Sequence, residues 1–323
     1  MSVFHGELEK YLKLRQGDLK PGSFSVTRHI LFNFDSFLAT KGHKDDSISE
    51  KLVNEWITVT RLTHAQRTTS DWVSHLRGFL RFLRYEGYEV YLPHRPKTPD
   101  SYIPYIFSDA ELERIFEAAD NLQETCTRKT DSHIQIGFPM LLRLLYGCGL
   151  RLGEALSLRM ENVNLTRGAL YLRETKNEKQ RIVPMEHSLA DMLQKYCYAM
   201  KLTDIPEAPL FPCRNPEIPM SRGTAGYFFR RILIETEIYI QPKPHSRGQC
   251  LHCFRHLFAV KSFSQAEQLG MSVDDSIPYL SVYLGHKDLD ETEKYLKFSS
   301  DIFPEHTDIF ERYAAEVFAE VSL

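Results

Sequence analysis

Apolar residues at Trp72, Val73, Leu76, Phe79, Leu80 and Leu83 keep the 3.6-residue rhythm of a helix over 66–87 that buries one stripe, with Gly87 as a natural stop. Val26, Ile30, Leu31, Phe34, Phe37 and Leu38 predict another helix over 24–38, with Ser23 or Ser25 as its cap. After Ser49, a further capping residue, Leu52, Val53, Trp56, Ile57 and Val59 predict a shorter helix. Residues 1–95 therefore read as one small helical unit. Pro93, Pro96, Pro99 and Pro104 then interrupt any helix, so 96–106 reads as an extended linker. A second unit, 107–323, opens at Ser108, where Glu111 three residues on makes a capping-box signature. Helical periodicity runs through 140–158, after which the period shortens to two. LYLRET (170–175) and QRIVPM (180–185) alternate around the turn KNEK, and 163–168 adds a third strand ending at Gly168. Later helices are predicted at 221–235, 251–269, 277–284, 290–296 and 307–321. The expected fold is mainly α, in two domains, with a small antiparallel β-sheet in the second.

Composition adds a location and a class of partner. The 323 residues are enough for two separate cores. No run approaches the roughly 20 apolar residues of a membrane span, and the first 20 residues are charged throughout with no apolar signal core. Six scattered cysteines do not make a secreted disulfide framework. We therefore expect a soluble, cytoplasmic protein without a membrane partner. The net charge of −3 hides a division. It is about +4 over 1–99, −5 over 100–120, +6 over 121–273 and −8 over 274–323. Two basic blocks are the footprint of a polyanion, while the acidic end meets protein or solvent. In the first block Arg67, Arg77, Arg81 and Arg84 lie off the apolar stripe of the 66–87 helix, and Lys97 lies in the linker. These five are the candidate polyanion contacts.

Four short stretches of the second unit carry chemistry. GCGLRLGEALSL contains Arg151, a permanently charged fork, with Glu154 one turn on as a structural partner. TKNEKQR puts Lys176 and Lys179 at a hairpin tip. LHCFRHLFA supplies His252 and Arg255, one helical turn apart. YLGHKDLDETEKYLKF supplies His286 and, nine residues later, Tyr295. Together these groups suit attack on a phosphodiester: arginines hold the non-bridging oxygens, a cation or histidine protonates the leaving oxygen, and a tyrosine attacks. Cys250, His252, Cys253 and His256 also raise a zinc reading, but the second Cys or His pair of a zinc knuckle is missing.

In this order these residues resemble the tyrosine recombinase (phage integrase) family. Its pattern is an arginine in Gly-Leu-Arg-x-x-Glu, a lysine in a β-hairpin, His-x-x-Arg, a Leu-Gly-His box, and a tyrosine about nine residues on. The resemblance covers nearly the whole chain, since a helical N-terminal unit before a proline-bearing linker is similar to the family's core-binding domain, the two domains closing on DNA as a clamp. Gly153 and Cys253 depart mildly from the pattern, at non-catalytic positions. The resemblance implies that Tyr295 attacks the scissile phosphate to form a 3′-phosphotyrosyl link. It implies that Arg151 and Arg255 bind the non-bridging oxygens, that His286 adds a hydrogen bond, and that Lys176 protonates the leaving 5′-oxygen with help from His252. Lys176 is favoured over Lys179 because the family lysine precedes a small turn residue. The family needs neither ATP nor metal, so no cofactor is expected. The implied partner is double-stranded DNA, on which recombinases assemble as a synaptic tetramer, here through the apolar stripe of the 307–321 helix, with accessory recombination proteins as further partners. Integrase or transposase of a mobile element, Xer-like dimer resolution, a type IB topoisomerase-like relaxing activity and a non-catalytic DNA-binding protein of the same fold remain the readings to separate.

Overall fold

The computed structural model describes residues 1–98, 103–122, 132–173, 180–242 and 248–295. The chain divides into two compact units, 1–101 and 102–323.

The described residues of the first unit form four helices, α1 (His5–Asp18), α2 (Pro21–Thr40), α3 (Glu50–Thr63) and α4 (Gln66–Tyr85). The stripe anticipated on α4 is buried, from Trp72 to Leu83, and packs on Ile30, Leu31 and Phe34 of α2, Val53 and Trp56 of α3, and Leu8 and Leu12 of α1. Ser49 caps α3 by accepting from the Leu52 N–H, as the sequence suggested. The start of α2 differs from expectation: neither Ser23 nor Ser25 caps it, because Pro21 at the first turn presets the helical φ and lacks the N–H that a cap would satisfy. Val59 is 51% exposed, so the buried face of α3 ends at Ile57 and Thr60. Two-residue strands, β1 (Ser47–Ile48) between α2 and α3 and β2 (Glu89–Val90) after α4, form a parallel pair too short to register as alternation.

The second unit is built around α6 (Ser132–Cys148), whose Leu141, Leu142, Leu144 and Leu145 are all buried. A helix with so broad an apolar surface must be covered by several neighbours. It is packed by α5 (Asp109–Asp120), α7 (Leu152–Ser157), α8 (His187–Ala199) and α10 (His252–Gln268). Ser108 and Glu111 make the capping box of α5 in both directions. The helix expected through 140–158 is in fact two, because Gly149 adopts φ +59° and closes α6. That break creates a second helix start and makes Arg151 the residue at its N-terminal boundary. The sheet is antiparallel in the order β3 (Val163–Asn164), β4 (Ala169–Leu172), β5 (Arg181–Pro184), with Leu170 opposite Val183 and Leu172 opposite Arg181. Helix α8, missed in the sequence, buries Leu189, Leu193, Tyr196 and Cys197, and Glu186 caps it through the Ser188 and Leu189 N–H groups. Then come α9 (Arg222–Glu235), α10 and α11 (Val273–Leu284), and the chain is again helical over 290–295. Lys176, Lys179 and the 307–321 segment lie outside the described residues.

Candidate active site

Three chain breaks bring the charged residues of the second unit together. The first is Gly149, which ends α6 and leaves its own carbonyl pointing at the Arg255 guanidinium, 2.8 Å from Nη1. The second is Gly285, which ends α11 at φ +67° and releases the Leu284 carbonyl, 2.8 Å from Arg255 Nη2. A Cβ at Gly285 would also lie 2.8 Å from Nη1 of Arg181, so this position needs glycine for conformation and for space. The third is the turn after His286 that returns the chain as the helical segment 290–295, with Thr292 and Tyr295 facing inward.

Arg255 is 1% exposed and makes a third hydrogen bond, 2.9 Å, to Nε2 of His286. An arginine has only donors, so His286 Nε2 must be the acceptor. The ring proton therefore sits on Nδ1, which donates to Thr292 Oγ1 at 2.6 Å. The electrostatics agree: burial, then Arg255, Arg151 and Arg181, push His286 down to about 3, so it is neutral at physiological pH. Burial lowers Arg255 to about 10, against the pull of the adjacent Tyr295, and it stays charged.

Glu154 is 5% exposed and joins the other two arginines. Its Oε1 accepts from Arg151 Nη1 at 3.0 Å and from Arg181 Nη1 at 3.2 Å, and its Oε2 from the Arg151 backbone N–H at 3.0 Å and Arg181 Nη2 at 2.8 Å. Burial raises its pKa, but these donors, Arg181 foremost, outweigh it and hold the carboxyl at about 2. Arg151 itself is 21% exposed at its side chain. Among the described residues its Nη2 makes only long approaches, 3.5 Å to the Gly285 carbonyl and 3.8 Å to Glu291. A small cleft of about 250 Å³ opens beside Glu154, lined by Arg159, Asn162, Tyr171 and Arg173 among others, below the size of ordinary small-molecule sites.

Tyr295 is 5% exposed and packs with Phe263, Ile277, Leu280 and Leu284. Its ring lies 5.9 Å from that of His286 and 5.4 Å from that of His256, which in turn meets His252 edge-on at 4.6 Å. Arg151, Arg255, His286 and Tyr295 thus converge directly, and His252 reaches them through His256. The Cys250 and Cys253 sulfurs face each other at 3.9 Å. In the first unit Arg67, Arg81, Arg84 and Lys97 are exposed and Arg77 is half-buried. Arg77 and Arg84 donate to the Pro93 and Val90 carbonyls, tying the extended chain to α4.

The sequence reading missed Arg181 and Thr292. Arg181 was accessible: alternation on β5 puts it on the face of Val183, which is fully buried, while Ile182 is 59% exposed. A charge on an inward strand face requires a buried partner. Nothing local singles out Thr292, whose role depends on the fold of the turn.

The shifts of His286 and Glu154 give one expectation here. His286 is depressed from 6.5 to about 3 and Glu154 from 4.5 to about 2, so both contribute stability above their unfolded values and lose it as pH falls. Between pH 6.5 and 4.5 His286 contributes a slope approaching 1.4 kcal/mol per pH unit, and His75 of the first unit, lowered by burial, adds a loss of the same sign. His286→Asn is expected to remove the His286 share of the slope in urea unfolding over that window, leaving the share of His75 and the loss below pH 4.5.

The Phage integrase family matches residues 106–300 of this chain, more than half its length. The chain belongs to that family. As a tyrosine recombinase it falls in a class of DNA-cleaving and rejoining enzymes. It is 30% identical to tyrosine recombinase XerD of Pseudomonas putida over 71% of this chain and 70% of XerD. It is 28% identical to "Putative integrase/recombinase y4rB" of Sinorhizobium fredii over 94% of this chain and 96% of y4rB. In fold, the recombinase resembles the crystal structure of XerH site-specific recombinase bound to palindromic difH substrate in a post-cleavage complex, with a TM-score of 0.69 and 17% identity over 95% of this chain and 84% of XerH. No helix among its described residues is long and apolar enough to cross a membrane.

Proposed function

We propose that this tyrosine recombinase is site-specific and cleaves and rejoins duplex DNA through a 3′-phosphotyrosyl intermediate on Tyr295. The observation that carries this reading is the buried convergence of Arg255, His286 and Tyr295 beside Arg151. The Tyr295 hydroxyl gives up its proton, with His252 assisting the transfer, as its oxygen bonds to phosphorus and the P–O5′ bond breaks, and the leaving 5′-oxygen takes a proton from Lys176. Arg151 and Arg255 bind the non-bridging oxygens and offset the added charge of the pentacovalent transition state. The exposed edge of Arg151 is the side from which a phosphate enters. When an oxygen arrives, it replaces His286 Nε2 as the acceptor for Arg255. His286 can then carry its proton on Nε2 and donate to that oxygen, because the Thr292 hydroxyl serves Nδ1 equally as donor. The link keeps the phosphodiester's energy, and a partner strand's 5′-hydroxyl reverses the step.

Unit 1 acts as the core-binding domain, with Arg67, Arg77, Arg81, Arg84 and Lys97 supplying phosphate contacts that make binding salt-dependent. The active assembly is a cytoplasmic synaptic tetramer joined through the 307–321 segment. We read the role as integrase or transposase of a mobile element, which the full-length likeness to y4rB favours. The XerD likeness supports dimer resolution as the second reading. A plasmid carrying two copies of the DNA flanking the gene tests the reaction. Deletion or inversion between the copies is expected; relaxation alone would make the enzyme a topoisomerase, and retardation alone a DNA-binding protein.

A further inference from the structure

Arg181 sits at the centre of the charged cluster, yet none of the phosphate steps above uses it. Its side chain is 8% exposed on the inward face of β5, and its fork spans both oxygens of Glu154. Its Nε is buried and has no hydrogen-bond partner among the described residues. The same guanidinium packs over Gly285, the residue between the Leu284 carbonyl held by Arg255 and His286. One side chain therefore touches the carboxylate that holds Arg151 and the turn that carries His286.

Consider Glu154 with Arg151 alone. A buried carboxylate 3.0 Å from one guanidinium would neutralise it and turn its fork inward. With Arg181 present, Glu154 is already matched by a full fork, and Arg151 gives it only Nη1 and its backbone N–H. Arg151 Nη2 is left on long contacts that an anion can displace. Among the described residues of the buried cluster three guanidiniums face one carboxylate, and the second carboxylate, Glu291, approaches from the exposed edge. We infer that Arg181 is a positioning residue: it occupies Glu154 so that Arg151 keeps its charge and its open edge for substrate, giving the cluster a surplus suited to a doubly charged phosphoryl group rather than a singly charged one.

This rests on the phosphoryl-transfer reading, but its test separates the two. Tungstate and perrhenate are tetrahedral oxyanions of closely similar size with charges of −2 and −1. The full-length protein would be titrated with each by calorimetry, as wild type, Arg181→Met and Arg181→Lys, after urea unfolding has shown each to be folded. Wild type is expected to prefer tungstate. Removing one nearby charge in Arg181→Met should weaken tungstate binding about tenfold and perrhenate less, so that the preference falls, while Arg181→Lys keeps most of it. A purely structural role would weaken both anions alike. An unchanged tungstate-to-perrhenate ratio in Arg181→Met, or no saturable tungstate binding by folded wild type, overturns the inference. A ratio that falls as expected in a protein that never cleaves DNA would leave Arg181 in its role and remove the recombinase reading instead.

Discussion

Glu154→Ala is expected to lower the unfolding free energy of this protein by about 3–5 kcal/mol, because it strips the carboxylate from between two buried or half-buried guanidiniums. Mutual repulsion of Arg151 and Arg181, and four lost hydrogen bonds, give the loss its size. The partner variant Glu154→Ala/Arg181→Met should recover a large part of it, since a buried ion pair replaced by apolar groups is often neutral. Urea unfolding at pH 7 of the wild type, both single variants and the double variant measures the coupling directly. A Glu154→Ala loss below about 1 kcal/mol would be that of an exposed ion pair, and would contradict the burial described for this site.

Arg255→Lys is expected to slow DNA cleavage in single turnover by about 10²–10³-fold while changing DNA affinity little. Lysine keeps a positive charge among the Gly149 and Leu284 carbonyls, so the pocket survives. It loses the planar fork that bonds those carbonyls and His286 at once and leaves a phosphate oxygen without a fixed donor. The readout is the rate at which a nicked duplex is converted to a covalent complex at saturating protein, with binding measured separately by retardation. Equal losses in binding and rate would mean that Arg255 holds ground-state DNA rather than the transition state.

These residues were unequally visible in the sequence. Arg151, His252, Arg255, His286 and Tyr295 stand in stretches whose spacing announces them. The antiparallel pairing of 170–172 with 181–183, the Ser108–Glu111 box and the α4 stripe follow directly from local rules, and the structure carries all three; the third strand expected over 163–168 is only Val163–Asn164, because the chain turns over 165–168 to Gly168 at φ +58°. What local pattern could not supply was the break at Gly149. The helical rhythm of apolar residues persists on both sides, and only the left-handed glycine places Arg151 at a helix start. Arg181 is legible in principle from its shared face with Val183, but the lysines of TKNEKQR beside it are the more conspicuous charges. Thr292 was not legible at all, since its partner His286 lies across a turn whose path is set by packing. Helix α8 is hard to read locally because its apolar positions follow closely on a strand and are divided by Asp191 and Lys195.

The most direct test of the proposed chemistry is to trap the covalent intermediate in EDTA, incubating wild type and Tyr295→Phe with nicked duplexes made from the DNA flanking the gene. After denaturation and proteolysis, mass spectrometry locates the nucleotide adduct. The account predicts an adduct on the peptide containing Tyr295, attached at that residue, indifferent to chelation and absent from Tyr295→Phe. An adduct on Tyr279 or Tyr283, the nearby tyrosines of α11, or one that persists in Tyr295→Phe, would contradict it.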